Sequence, residues 1–196
     1  MAIVSALIAT VVLAGLGVAL ALLGLEESML AGHDRASRAL RLASESAAQL
    51  AIADLRRAGS WTALGALTGR FSDATLTPAS PWDGAPLDLQ AETASVQAEA
   101  DAFASGARRR WHLLESGPLT RAAAGESSPF YLVVWVADDG ADVDGDPDTE
   151  SNGILTLRAD ALGPNGGRAS TLVSVMRTPV VGGPDAIRVL TIRYPS

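Results

Sequence analysis

Residues 1–57 decide the fold, and they read MAIVSALIATVVLAGLGVALALLGLEESMLAGHDRASRALRLASESAAQLAIADLRR. The first 25 residues carry no charged side chain, and no proline interrupts the stretch. At about 1.5 Å per residue, a helix over residues 1–25 measures roughly 37 Å, which exceeds the ~30 Å hydrocarbon core of a bilayer. We therefore predict one long N-terminal helix whose first half, residues 1–25, can lie in lipid.

Residues 26–58 continue the helix with an amphipathic pattern. Two glutamates end the uncharged stretch, and small or apolar side chains then recur at spacings of three or four, which marks one stripe along a helix. The stripe consists of Met29, Gly32, Ala36, Ala39, Ala43, Ala47 and Leu50. Arg56 and Arg57 suit the last turn of a helix, and Gly59 suits its end. We predict that this half packs through its alanines on a sheet or on neighbouring helices.

Residues 59–129 show irregular signals and are predicted to form a connector. One part of this connector is rich in Ala, Glu and Gln, with small or apolar side chains at helical spacing. This composition favours a short helix from about Asp88 to Ala104. Its apolar side consists of Leu89, Thr93, Val96 and Ala100.

Residues 130–196 change to the pattern of β-strands. Four stretches are rich in Val, Leu, Ile, Thr and aromatic residues and are separated by Gly, Pro, Asn and Asp, which is typical of strands and turns. They are Phe130–Ala137, Gly153–Leu162, Ala169–Val180 and Ala186–Tyr194. Alternation in the second and fourth stretches predicts one packed and one solvated face. The predicted fold class is α+β, with a long helix packed by its C-terminal half on a four-stranded antiparallel sheet.

The segment between the first two predicted strands is rich in carboxylates. Residues 138–150 contain seven acidic residues and no basic one, so they account for the whole formal net charge of −7. Ca²⁺ takes about six to eight oxygen ligands from carboxylates, amides, carbonyls and water. One interpretation of this loop is an irregular Ca²⁺ site with the candidate ligands Asp142, Asp144, Asp146, Asp148, Glu150 and Asn152. A solvated acidic hairpin tip is the alternative interpretation.

The same loop departs from the EF-hand motif. Its alternating aspartates, beginning at Asp142, follow the first ligand positions of that motif. Pro147 then stands where the motif requires a glycine, and Gly153 stands where it requires a bidentate glutamate. A simple EF-hand is therefore excluded.

Charge argues against a nucleic-acid partner. The chain has 22 acidic and 15 basic residues, and every basic residue is arginine, whereas phosphate binding draws mainly on clustered Lys and Arg. The one basic cluster with an adjacent aromatic side chain is Arg108-Arg109-Arg110-Trp111. On a small scale it is similar to a binding site for single-stranded nucleic acid. In an acidic chain, three arginines are more often a solvated turn or partners of local carboxylates. We therefore expect no nucleic acid to bind.

We expect no enzymatic activity, because catalytic motifs are not found. The chain has no cysteine, and His33 and His112 are its two histidines. A thiolate site is therefore excluded, and a His-rich metal site or a Ser-His-Asp triad has few ways to form. The sequence contains no Gly-x-Ser-x-Gly, no phosphate-binding glycine loop followed by Lys, and no His-Glu-x-x-His.

Two regions resemble PilX-type minor pilins of type IV pili. In the first, the apolar start is followed by a glutamate in an Ala-rich helix just beyond the span, and the matching segments are Met1–Leu7, Leu23–Ser28 and Ala39–Ala47. In the second, a strand is followed by an acidic loop, and the matching segments are Tyr131–Asp139, Asp144–Pro147 and Asn152–Gly153. The resemblance implies a pilin-like lollipop, in which the long helix carries a sheet-containing head.

This resemblance also implies a location and partners. The helix of such a subunit spans the bacterial inner membrane once before assembly and lies in the filament core afterwards, with the head in the pilus at the cell surface. Other pilins bind it through the N-terminal helix. Prepilin peptidase is a further expected partner if a leader exists, because it cuts pilin precursors after a glycine.

Position five of the mature chain bears on the type of subunit. Major pilins carry Glu there, and the corresponding residue here is Ser5 if Met1 is the first mature residue. That glutamate is understood to pair with a neighbour's N-terminal amine, since an unpaired buried charge is costly. Its absence favours a tip or assembly-initiation subunit. The alternatives are a single-pass membrane-anchored extracytoplasmic domain that binds Ca²⁺ or a protein, and a type II secretion pseudopilin.

Overall fold

The computed structural model describes residues 2–69, 76–103, 109–120, 127–139, 142, 145–180 and 185–195. The chain forms two compact units, Met1–Ala39 and Leu40–Ser196. The first helix, α1 (Ala2–Leu55), contributes residues to both units. The prediction of one long N-terminal helix is therefore confirmed, and the helix ends at Leu55, three residues before the predicted bound at residue 58.

In the first unit, α1 exposes its apolar side chains. Every residue from 13 to 38 is exposed, because a single helix has no second element on which to pack. The large exposed side chains of its uncharged part include Leu13, Leu16, Val18, Leu20, Leu22, Leu23 and Leu25. This helix is long and apolar enough to cross a membrane.

The second unit combines the end of α1 with a short helix and an antiparallel sheet. The short helix, α2 (Leu89–Phe103), confirms the helix predicted in the connector. At its start the Asp88 carboxylate accepts hydrogen bonds from the backbone N–H groups of Gln90 and Ala91, both at 3.0 Å, which is a favourable N-cap. The five strands lie in the order β1-β2-β3-β4-β5. They are β1 (His112–Thr120), β2 (Ser127–Asp138), β3 (Ile154–Leu162), β4 (Arg168–Thr178) and β5 (Ala186–Arg193).

The predicted four-stranded sheet is wrong by one strand. Strand β1 lies inside the predicted connector and pairs with β2, beginning with His112 opposite Val136. Its sequence includes Gly117 and Pro118, which are unfavourable inside strands. Proline is tolerated here because β1 is an edge strand. Pairing with β2 therefore overrides weak local propensity, and the sheet begins at residue 112 rather than at residue 130.

One face of the sheet is covered by the C-terminal part of α1. The helix contributes Leu40, Ala43, Ala47, Ala48, Ala51, Ile52 and Leu55 to this core, and the sheet contributes Leu114, Leu132, Val134, Val136, Leu155, Leu157, Ala159, Ala161, Val173 and Val175. The alanines let the helix backbone approach the strands closely. Ser44 and Thr171 add a buried hydrogen bond, with 2.7 Å between their hydroxyl oxygens.

The predicted alanine stripe is correct only in its second half. Ala43 and Ala47 are buried in the core with the sheet, and Ala39 and Leu50 are half-buried. The earlier members, Met29, Gly32 and Ala36, are exposed. These three belong to the first unit, where α1 has no partner element. A helical period therefore identified one face of the helix but not the length over which that face is covered.

The other face of the sheet is covered by α2, so the predicted solvated face is wrong for β3. Eight of the nine β3 residues are buried, whereas β5 is exposed at nearly every position. Trp135 donates its indole N–H to Thr93 Oγ1 on α2 at 2.9 Å. The buried cluster on this side consists of Leu89, Val96, Trp111, Tyr131, Val133, Trp135, Ala137 and Leu162.

A buried carboxylate organises the α2 side of the sheet. Asp160 is fully buried and lies 3.2 Å from Arg158 Nε and 2.5 Å from Arg168 Nη2. Arg158 also pairs with Glu99 of α2 at 2.5 Å. Arg168 pairs with Glu92 of α2 at 2.9 Å. Because an uncompensated buried charge is costly, this network holds α2 on β3 and β4.

We predict that Ala51→Leu destabilises the protein and that Ala36→Leu does not. Ala51 has no exposed surface and lies in the core between α1 and the sheet, so a larger side chain should cost about 1–3 kcal/mol. Ala36 is exposed on the same helix, and Leu has a helix propensity close to that of Ala. Urea unfolding of the detergent-solubilised chain, followed by tryptophan fluorescence, measures the free energy of unfolding. Equal effects of the two substitutions would contradict the packing.

We also predict that Asp160→Asn lowers the free energy of unfolding by about 3–5 kcal/mol, because it leaves two arginines facing a neutral amide. Glu99→Gln is the matched control, since it makes the same chemical change at the outer end of the network, where the side chain is 46% exposed. It should cost less than about 1 kcal/mol. Urea unfolding again gives the measurement. A cost for Glu99→Gln as large as that for Asp160→Asn would show that Asp160 is not the centre of the network.

Candidate functional site

The first candidate site is the uncharged part of α1. We call residues 13–25 the apolar segment, and each of them is exposed in the first unit. A Cβ atom placed on Gly15, Gly17 or Gly24 would meet no other group within 4 Å, so the helix surface is open there. Gly17, Ala21 and Gly24 are spaced four and three residues apart and therefore share one face. Small residues on one face permit close approach of another helix.

The second candidate site is the acidic loop, residues 139–153, between β2 and β3. Backbone hydrogen bonds fix this loop to the chain that follows α1. The Leu64 N–H donates to the Asp148 carbonyl at 3.2 Å, and the Glu150 N–H donates to the Thr62 carbonyl at 3.1 Å. At these residues the loop packs on the protein and does not have the form of a solvated hairpin tip.

Three carboxylates converge beside this attachment. Asp138 is the last residue of β2, Asp142 lies in the loop, and Glu150 precedes β3, and one oxygen of each lies within 4.8 Å of the others. Asp138 is 4% exposed and Glu150 is 6% exposed. Glu150 Oε1 accepts hydrogen bonds from the backbone N–H groups of Gly153 and Ile154. We call Asp138, Asp142 and Glu150 the carboxylate cluster.

Two of the six predicted metal ligands, Asp142 and Glu150, lie in the carboxylate cluster. Asp144 lies outside the described residues. Asp146 accepts hydrogen bonds from Thr149 Oγ1 at 2.8 Å and from the backbone N–H of residue 148 at 3.1 Å. Its carboxylate therefore closes a turn of the loop.

The remaining two predicted ligands interact with other groups. Asp148 lies 2.9 Å from Arg110 Nη1 and 2.9 Å from His112 Nε2 at the start of β1. Asn152 donates its side-chain N–H to Asp139 Oδ1 at 3.1 Å. These contacts join the loop to β1 and to its own first residue. The assignment of Asp148 and Asn152 as metal ligands stays a prediction, to which this geometry adds no support.

Sequence reasoning missed Asp138 as a candidate ligand. Asp138 has the same parity along β2 as Val134 and Val136, which lie in the core against α1. It is paired with Leu155 of the same core. Because side chains alternate along a strand, Asp138 turns its carboxylate to the buried side. The strand pattern contained this signal, but the predicted strand ended at Ala137, one residue too early.

Burial makes negative charge unfavourable in the carboxylate cluster. It raises the pKa of Glu150 to about 7, against the lowering effect of the Gly153 N–H, and the charge of Asp138 raises that pKa further. Burial also raises the pKa of Asp138. A proton or a bound cation would offset the cost of charge at these positions.

The described arginines of the predicted basic cluster interact within the chain. Arg109 donates to the Asp139 carbonyl oxygen from Nη2 at 2.8 Å and from Nε at 3.3 Å. Arg110 pairs with Asp148 at 2.9 Å. Arg108 lies outside the described residues. Arg110 therefore fits the interpretation that the arginines are partners of local carboxylates, whereas Arg109 binds the backbone.

The chemistry of the two sites limits what they can do. The apolar segment can lie in lipid or against other apolar helices. The carboxylate cluster can hold a proton or a hard cation such as Ca²⁺. No family model, curated protein or solved structure matches the chain, so these physical properties carry the functional assignment.

Proposed function

We propose that this chain is a structural minor pilin, which acts at the tip of a type IV pilus or in the initiation of its assembly. The observation that carries the proposal is the division of α1 into two halves. Its apolar segment is exposed, whereas residues from Leu40 to Leu55 pack on an antiparallel sheet. Such a helix offers one half for assembly while the other half belongs to a folded domain.

Exposure of the apolar segment to water is unfavourable. Burying a single Leu or Val side chain contributes about 1.5–3 kcal/mol, and the segment contains six leucines and one valine. A bilayer removes this surface from water, and a helix satisfies its own backbone polar groups there. In a filament, the helices of neighbouring subunits would replace the lipid.

Small residues support the transfer from lipid to filament. Within lipid the hydrophobic effect does not drive helices together, and close van der Waals packing of small residues contributes instead. Gly17, Ala21 and Gly24 present such a face on α1. We expect the helices of neighbouring subunits to pack against this face.

The lack of charge in residues 1–25 supports a low-abundance position in the filament. In major pilins a carboxylate in the apolar half pairs with a neighbour's N-terminal amine. Residues 1–25 contain no carboxylate that could form such a pair. A subunit at the tip or in an initiation complex fits this property better than a repeated subunit of the shaft.

A second candidate is a single-pass membrane-anchored extracytoplasmic domain, and the carboxylate cluster favours it. Such a protein would use α1 as an anchor, and its second unit would bind Ca²⁺ or a protein. A type II secretion pseudopilin is a closer alternative that shares the helix and differs in the machine that recruits it. The location of the chain in the cell separates anchor from filament subunit.

We predict that the wild-type chain is present in the inner membrane and, at low abundance, in filaments sheared from the cells that produce it. Leu20→Arg should lower its amount in both fractions, because an arginine inside a span costs up to about 2.5–3.5 kcal/mol. Leu42→Arg is the matched control, since Leu42 is 62% exposed on the same helix beyond the apolar segment. This control should leave the membrane fraction unchanged. Quantitative immunoblotting of the two fractions measures the distribution.

Other distributions would contradict the proposal. A wild-type chain in the membrane but absent from sheared filaments would identify an anchored domain. A chain that is the most abundant filament subunit would be a major pilin. Normal membrane insertion of Leu20→Arg would contradict the prediction that residues 1–25 are the span.

A further inference from the structure

We infer that Asp138, Asp142 and Glu150 bind one divalent cation, with Ca²⁺ as the preferred ion. This inference does not depend on the proposed pilin function, because it concerns only the second unit. It also differs from the ligand set predicted from the sequence. The site uses the end of β2, one loop residue and the residue that is hydrogen-bonded to Thr62.

The spacing of the three carboxylates suits a cation of this size. Oxygens bound to Ca²⁺ lie about 2.3–2.6 Å from the ion, so two ligands on opposite sides are about 4.6–5.2 Å apart. One oxygen from each residue of the carboxylate cluster lies within 4.8 Å of the others. A single ion can therefore contact all three residues, and water and carbonyl oxygens can complete its coordination.

A second, separate observation points to a ligand, and it concerns Glu150. This residue is 94% buried, since its exposed fraction is 6%. Its Oε1 atom accepts the hydrogen bonds of the loop backbone. Its Oε2 atom is buried and has no hydrogen-bond partner among the residues that the structure describes. An unpartnered carboxylate oxygen away from water is costly, and a cation bound to Oε2 would remove that cost.

The described positive side chains do not balance the negative charge of Asp138 and Glu150. Among the residues that the structure describes, no arginine or histidine forms an ion pair with Asp138 or Glu150. Arg109, the residue that approaches the start of the loop, donates to the Asp139 carbonyl. Arg110 pairs with Asp148. No described cationic side chain therefore balances the charge of Asp138 and Glu150, and a metal ion would provide that balance.

The donor set selects the kind of ion. All three ligands are carboxylates, which favour hard cations over zinc and other metals that prefer nitrogen or sulfur. Mg²⁺ demands near-ideal octahedral geometry and loses water reluctantly, whereas Ca²⁺ accepts irregular coordination. Three carboxylates from a strand end and two separate positions in a loop form an irregular site, and we expect Ca²⁺ to bind more tightly than Mg²⁺.

Cation binding would join three parts of the second unit. The Glu150 N–H donates to the Thr62 carbonyl at 3.1 Å, so an ion on the Glu150 carboxylate couples the loop to the chain that follows α1. Asp138 places the same ion at the end of β2. Because a ligand that binds only the folded state stabilises it, Ca²⁺ should raise the temperature of unfolding of the whole chain.

The test uses the full chain in detergent micelles after removal of metal with a chelator. Isothermal titration with CaCl2 should give one site in the wild type, and thermal unfolding followed by near-ultraviolet circular dichroism should shift upward with Ca²⁺. Glu150→Gln and Asp142→Asn should each weaken Ca²⁺ binding by about tenfold or more, because affinity follows the number of charged ligands. Asp142 is a half-buried loop residue, so its variant provides the test if Glu150→Gln does not fold.

Asp148→Asn is the matched control. It removes one charge from the same loop, and Asp148 lies against Arg110 and His112 rather than in the carboxylate cluster. Its affinity for Ca²⁺ should remain within about twofold of the wild type. The inference is overturned if folded wild-type protein shows neither heat nor a thermal shift at millimolar Ca²⁺. It is also overturned if Asp148→Asn weakens binding as much as Asp142→Asn does.

Discussion

An α-helix that carries no charged side chain from Ala2 to Leu25 must be shielded from water by lipid or by other helices. The first unit contains no element that could provide this shielding, since every residue of the apolar segment is exposed. Within the described residues nothing else covers this segment. We therefore propose that the shielding comes from outside the chain, from a bilayer before assembly and from a bundle of similar helices in a filament. This need for shielding links the uncharged N-terminal sequence to the proposed function.

In the second unit the same helix is buried rather than exposed along one face, because its small side chains lie against the sheet. Close approach is visible at Gly163, where an added Cβ atom would lie 3.0 Å from Leu40 Cδ2. Because α2 covers the other face, β3 is buried on both sides. The arginines around Asp160 satisfy this buried carboxylate between α2 and the sheet. Among the described residues, Asp138 and Glu150 form no ion pair with an arginine or histidine, which is why a metal ion suits their site and not Asp160.

Periodicity in the sequence predicted the long helix, α2 and four of the strands, because each has a local pattern that tertiary contacts do not change. Strand β1 could not be predicted in this way, because Gly117 and Pro118 have low strand propensity. The strand forms through its pairing with β2. The solvated face of β3 was predicted wrongly because alternation does not show that a second helix covers it. The acidic loop was visible from composition. The convergence of Asp138 with Asp142 and Glu150 could not be predicted from composition, because it depends on the face of β2 on which Asp138 lies.

The central claim is that the apolar segment exchanges lipid for protein when the chain assembles. The chain has no cysteine, so Leu20→Cys provides a single site for a nitroxide spin label. Electron paramagnetic resonance can then measure collisions of the label with oxygen, which dissolves in lipid, and with a water-soluble nickel complex. We predict access for oxygen but not for nickel in membranes, and low access for both in purified filaments. Collisions with nickel in either sample, or unchanged access for oxygen in filaments, would contradict the account.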